Sequence, residues 1–177
     1  MKVRPNKFYI EKFRNFRNAS FELGDKVTVI SGHNGVGKSN VLSLIASSSG
    51  VYSNSMLGSN FQPEFTDFFN IDPNEKYTDY KVYLTYIDSD GNDAFTKRLS
   101  FKDDTKSGRG IRIIPRTTNH FLKDCTVKEA ADQAKSNYGV GPDARVRIPT
   151  IYLSLSRLYP LGEQNDNVEI SEIRKNN

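Results

Sequence analysis

Apolar and polar residues alternate in two short stretches near the start of the chain. Lys7 to Phe13 (KFYIEKF) and Arg17 to Leu23 (RNASFEL) predict two strands joined through Arg14, Asn15 and Phe16, and Gly24-Asp25 turns the chain onward. Lys26 to Ser31 (KVTVIS) is a brief apolar run that predicts a buried strand. Lys38 to Ser48 then groups Val41, Leu42, Leu44, Ile45 and Ala46 at helical spacing, and the serines before Gly50 favour leaving the helix. Two strands ahead of a strand-loop-helix unit imply an antiparallel flap beside it.

The pattern is irregular from Val51 to Thr78, apart from Phe61, Phe65, Phe68 and Phe69. Their near-helical spacing predicts a short amphipathic helix around Glu64 to Asn70, with the rings as a core stripe and Pro73-Asn74 as its end. Tyr80 to Ile87 alternates cleanly, with Val82, Leu84 and Tyr86 on one face and Tyr83, Thr85 and Ile87 on the other. Phe95, Leu99 and Phe101 mark its hairpin partner across an Asp88–Asp93 turn. That turn resembles the start of a calcium loop, but Asp93 and Leu99 stand where glycine and glutamate are needed, so calcium is rejected. Asp88 as a magnesium-binding strand end is rejected as well, because a hairpin follows at once. Ile111 to Ile114 predicts a third strand stopped by Pro115. Thr126 and Glu129 form a capping box, with Val127, Ala131, Ala134 and Tyr138 on one face of the helix behind it and Gly139 as its stop. Pro149 to Ser154 predicts a buried strand, parallel to the Lys26–Ser31 strand after a helical crossover.

A chain of 177 residues, 36% hydrophobic and 26% charged, suits one domain that buries about 70% of its unfolded surface. No apolar run approaches the ~18 residues that span a bilayer, and no apolar region follows the charged N-terminus, so neither a membrane anchor nor a signal peptide is read here. The single cysteine, Cys125, excludes an internal disulfide framework and reads as a small packing residue. A cytoplasmic protein is the expectation. Net charge is +4, unevenly spread: Lys97 to Arg147 holds 12 Lys/Arg against 6 Asp/Glu. Such a stretch attracts nucleic acid in principle. No aromatic-basic stacking motif sharpens the signal, so a solvated face with local ion pairs is the plainer reading.

The chemistry concentrates in Gly32-His33-Asn34-Gly35-Val36-Gly37-Lys38-Ser39, which meets the G-x-x-x-x-G-K-[ST] pattern at every fixed position. The glycines let successive N–H groups turn inward around a phosphate, and the following helix N-terminus adds about half a positive charge. Lys38 is placed to reach the β- and γ-phosphates and Ser39 to ligate Mg²⁺, so a nucleoside triphosphate is the expected ligand.

Beyond that pattern, Ile10-Glu11-Lys12-Phe13-Arg14-Asn15-Phe16, a spacer, and Val29 to Leu42 around Gly32-x-Asn34-Gly35-x-Gly37-Lys38-Ser39-Asn40 resemble the opening of an ABC-type ATPase of the RecF/SMC/OLD group. The match is close over about the first 45 residues and holds only in layout afterwards. The resemblance implies an α/β P-loop NTPase lobe, with a mixed sheet and an antiparallel β-subdomain, covering residues 1–177. It implies ATP and Mg²⁺ as ligands, with Gly32, Asn34, Gly35, Val36, Gly37, Lys38, Ser39 and Asn40 around the phosphates and Asn34 near the γ-phosphate. It further implies that Arg14 and Asn15 lie near the base or phosphates, and it offers Arg157 and Gln164 as Q-loop candidates.

An ABC-type ATPase also needs a signature helix, an apolar strand ending in Asp-Glu and a switch histidine. None follows the loop; Ser107-Gly108-Arg109-Gly110 lacks the signature residues, and His33 and His120 are misplaced for the switch. The expectation is therefore an N-terminal lobe that lacks its C-terminal partner lobe and binds ATP with negligible turnover. In the full-length protein it would form an ATP-dependent homodimer that gates a DNA-related activity, in repair or phage defence and with a nuclease as one attached activity. The rivals are a self-sufficient small P-loop kinase or GTPase, and a binding module that nucleotide merely orders. The guanine-binding N-K-x-D does not follow the loop, and the opening hairpin argues against both enzymes.

Overall fold

The computed structural model describes residues 3–50, 53–54, 60–61, 64–72, 74–108, 110–122, 125–148 and 150. Strand β1 (Arg4–Phe13) and strand β2 (Phe16–Glu22) form the expected opening hairpin, with Phe13 opposite Phe16 across a two-residue turn. Helix α1 (Lys38–Ser48) follows the glycine loop. A two-residue ribbon, β3 (Ser53–Asn54) with β4 (Asn60–Phe61), precedes two single 3-10 turns, Phe65–Asp67 and Tyr77–Asp79. Strands β5 (Lys81–Ile87), β6 (Asp93–Asp103) and β7 (Ile111–Thr118), a third 3-10 turn (Thr105–Ser107) and helix α2 (Val127–Tyr138) complete the described elements.

The main sheet runs in the order β2-β1-β5-β6-β7, and every pairing in it is antiparallel. Its inner face carries Phe8, Ile10, Phe13, Val82, Leu84, Tyr86, Phe95, Leu99 and Ile113, packed in one cluster with Val41 and Leu44 of α1 and Ala134 of α2. Both helices therefore lie against one face of the sheet, as a two-layer α/β arrangement requires. Tyr86 ties the layers together: burial pushes its phenol up, against a hydrogen bond with Ser48 at the end of α1. Phe65 and Phe69 stack at 4.5 Å, and Phe65 and Phe13 meet Phe101 and Phe69 edge-on, closing one end of the core.

Several sequence expectations are corrected. Lys26 to Ser31 forms no strand: it is irregular, and Val27 and Val29 are 76% and 83% exposed. A parallel strand is buried on both faces by its neighbours, and no described strand pairs with this segment. The expected parallel core is thus reduced, among the described residues, to a single parallel bridge from Ser49 to Val146. The aromatic stripe at Glu64–Asn70 makes one 3-10 turn and no α-helix, although Phe65 and Phe69 are buried as expected. Pro115 does not stop β7. That strand is the sheet edge, where a residue without an N–H is tolerated, and Pro115 pairs with Leu99. Strand β5, by contrast, keeps its two expected faces, and both are buried because β5 is the central strand and His120 stacks on Tyr83 at 4.2 Å from the outer side. The expected strand Pro149–Ser154 lies, apart from Thr150, outside the described residues.

Helix α2 begins as its sequence requires. The Thr126 hydroxyl accepts the Glu129 N–H at 3.2 Å, and the Glu129 carboxylate accepts the Thr126 N–H at 2.8 Å. Gly139, at φ 68°, ends the helix in the left-handed region. Its buried residues are Ala130 and Ala134, whereas Val127 is 52% exposed, so the apolar face is rotated from the one expected. Replacing Thr126 with Ala removes the cap and is expected to cost about 1 kcal/mol, lowering Tm by about 2–4 °C. A thermal melt in which the variant matches the parent would show that the cap contributes nothing.

Candidate nucleotide site

The glycine loop is built from backbone freedom. Gly35 and Gly37 have φ of 83° and 98°, in the left-handed region that side chains avoid, and Gly32 has φ 154°. The loop curls around the Lys38 ammonium, which donates to the Gly32 and His33 carbonyl oxygens at 2.8 Å each. Gly37 is the N-cap of α1 and has no side chain to satisfy the first N–H groups. No acidic residue stands in the first turn of the helix. The N-terminus therefore presents free donors and a partial positive charge to solvent, the setting in which an anion binds. Ser39, in that first turn, is exposed. No group of three His, Cys, Asp or Glu among the described residues is arranged to hold a metal by itself.

Gly32, Asn34, Gly35 and Val36 are exposed, and Gly37, Lys38 and Asn40 are half-buried. The structure thus gathers the eight phosphate-loop candidates on one open surface. A groove of about 1170 Å³ lined by Val3, Arg4, Asp25, Asp88, Tyr138 and Val146 lies elsewhere, beside the start of the 26–31 segment. The loop itself has no lid among the described residues.

The opening hairpin touches the loop directly. A Cβ placed on Gly37 would lie 2.6 Å from Cε2 of Phe16, so the ring rests on the glycine with no room between them. Arg14 and Asn15 form the turn at this tip, and Arg14 adopts a φ of 47° that non-glycine residues seldom take. The Arg14 guanidinium is turned to Glu75, with Nε to Oε1 at 2.9 Å, and to the Asn70 carbonyl at 2.6 Å. Glu75 and Tyr80 carry no local signal that marks them, being sixty or more residues from their partner. Arg157 and Gln164 lie outside the described residues.

Part of the basic stretch is engaged in internal contacts. Lys97 is completely buried and donates to Thr117 Oγ1, Gly141 O and Pro142 O at 2.7–3.0 Å. Arg145 bonds Glu64 at 2.9 Å, Arg112 bonds Asp104 at 3.3 Å, and Arg116 faces Asp143 at 3.6 Å. Arg98, Lys102, Lys106, Lys128 and Lys135 remain exposed.

A P-loop curled on its lysine, an uncapped helix N-terminus and a two-layer α/β scaffold define a nucleotide-binding module. The AAA domain family model matches residues 7–175, nearly the whole chain, and the protein belongs to that family. It is an AAA-type P-loop ATPase domain. Neither a curated protein nor a solved structure matches it. No helix among the described residues is long and apolar enough to cross a membrane.

Proposed function

We propose that this chain is the N-terminal, ATP-binding lobe of an ABC-type ATPase of the RecF/SMC/OLD kind. The observation that carries the reading is the antiparallel hairpin seated on the phosphate loop through Phe16 and Gly37. A plain nucleotide-binding unit has no need of two strands ahead of its loop. The exposed Val27 and Val29 support it further, because an exposed apolar segment leading into the loop gains by being covered by a second lobe. Lys38 and the α1 N–H groups hold the β- and γ-phosphates, Ser39 holds Mg²⁺, and Asn34 lies near the γ-phosphate. Arg14 and Asn15 border the nucleotide, with Arg157 and Gln164 as the Q-loop candidates. The open loop is then closed from the far side by a second protomer in an ATP-dependent homodimer.

Phosphoryl transfer depends on charge stabilisation from both sides of the γ-phosphate. The 177-residue chain is therefore expected to bind ATP with negligible turnover and to remain monomeric with it, whereas the full-length protein dimerises and hydrolyses. Phosphate release and light scattering on both forms test this. Robust Lys38-dependent hydrolysis by the 177-residue chain would overturn the reading in favour of a self-sufficient P-loop enzyme. The gated activity is DNA-related, in repair or defence, in a cytoplasmic protein. With Lys97, Arg112, Arg116 and Arg145 of its twelve cations engaged in internal contacts, the basic stretch supports duplex DNA binding that is weak, sequence-independent and steeply salt-sensitive.

A further inference from the structure

The tip of the β1–β2 hairpin is held from two directions. On one side, Phe16 presses on Gly37 of the phosphate loop. On the other, the 70–80 segment grips Arg14. Glu75 receives Nε at 2.9 Å and a second guanidinium N–H at 3.4 Å, the Asn70 carbonyl receives another at 2.6 Å, and the guanidinium lies over the Phe69 ring at 5.4 Å. Glu75 is itself oriented, accepting the Tyr80 hydroxyl and the Asp72 N–H. The Arg14 and Glu75 side chains are 29% and 19% exposed, so this two-point pair is partly shielded from water and stronger than a surface ion pair. Burial pushes the Glu75 carboxyl up, but the bonds from Arg14 and Tyr80 outweigh it and hold it below the usual carboxylate range. Arg17 braces the same turn, donating to the Arg14 and Phe16 carbonyl oxygens.

Two features make this a strut. The Arg14–Glu75 pair is neutral, which leaves little net charge to attract a phosphate. Arg14 also sits at a φ of 47°, and an unfavourable backbone conformation persists only where its surroundings enforce it. We propose that Glu75 is a positioning residue for the phosphate loop: by gripping Arg14 it fixes the hairpin turn, which keeps Phe16 pressed on Gly37 and the loop in its phosphate-ready curl. Its effect on nucleotide affinity rests on the ATP-binding reading; its effect on the loop does not.

Backbone ¹⁵N order parameters without nucleotide, together with titration of a fluorescent ATP analogue, test the strut. In Glu75→Gln the Gly37 order parameter is expected to fall from about 0.85 to about 0.6, with ordinary β5 and β6 amide shifts showing an intact sheet. The analogue's Kd should rise about 5- to 10-fold. Tyr80→Phe, a milder change, should move both in the same direction by less. Phe16→Ala should reproduce the loosening, and the Phe16→Ala/Glu75→Gln double variant should be no looser than Phe16→Ala alone, because the two act in series. An unchanged Gly37 order parameter in Glu75→Gln, or additive effects in the double variant, would overturn the proposal. A raised Kd with an unaltered loop would also overturn it, by assigning Arg14 to the nucleotide directly. Should the parent chain bind no ATP analogue, the nucleotide reading fails and the order parameters alone decide the strut.

Discussion

Replacing Lys38 with Ala is expected to weaken ATP binding by about 1.5–3 kcal/mol, roughly 10- to 150-fold in Kd. The ammonium already sits inside the loop, bonded to the Gly32 and His33 carbonyl oxygens. Bringing it to a triphosphate therefore exchanges two neutral acceptors for charged ones without assembling a new site. The substitution removes those charge-assisted bonds and the contacts that keep the loop curled. The fold should survive, since Lys38 is half-buried at the surface end of α1 and lies outside the hydrophobic cluster. Calorimetry is the direct check. Equal affinity for the two proteins would remove the phosphate-loop assignment, and a collapsed variant would be recognised by its melting profile.

The other large effect concerns stability. Lys97→Met should destabilise the fold by about 1–3 kcal/mol, the loss of three charge-assisted bonds being offset in part by removal of a buried charge. The buried ammonium donates to Thr117, Gly141 and Pro142, and so clamps the segment after α2 onto β6 and β7. Methionine fills the stem's space but removes all three bonds, leaving Gly141 O and Pro142 O with the backbone N–H bonds from Ala144 and Thr117. The clamped segment leads to Val146, which bridges Ser49 and accepts the Gly50 N–H at 2.9 Å, so the far end of the phosphate-loop helix loosens with it. A denaturant midpoint unchanged by the substitution would contradict this account.

Lys97 also predicts a pH dependence. Burial pushes its pKa down to about 8, against a weaker upward pull from Asp143. Between about pH 8 and the unfolded value near 10.5, the unfolded chain holds a proton that the folded chain has released. Stability therefore rises with pH across that window, and the cost of the buried charge is present in full below it. The parent protein should gain stability from pH 8 to 10 relative to Lys97→Met, whose position 97 does not titrate. Parallel slopes for the two proteins would show that Lys97 keeps its proton throughout.

What the sequence determined by itself is what contiguous residues can specify. The phosphate loop binds through its own backbone, so its glycines, Lys38 and Ser39 are recognisable as a string, and the helix behind them starts and stops at residues whose propensities are local. The β1–β2 and β5–β6 hairpins follow from alternation across short turns, and α2 follows from Thr126, Glu129 and Gly139. The tertiary structure alone decided the rest, because each outcome depends on partners distant in the chain. Pro115 lies within a strand because that strand happens to be the sheet edge. Tyr83 and Thr85 are buried because β5 is central and the 119–122 segment crosses its outer side. Lys97, one cation among twelve in a basic stretch, becomes a buried clamp because strand register aims it at Thr117. Glu75 meets Arg14 across sixty-one positions, which no window along the chain can detect. The clearest divergence is Lys26–Ser31, whose apolar run reads as a buried strand. An apolar run fixes only a tendency to be covered, and burial needs neighbouring strands that the described residues do not supply.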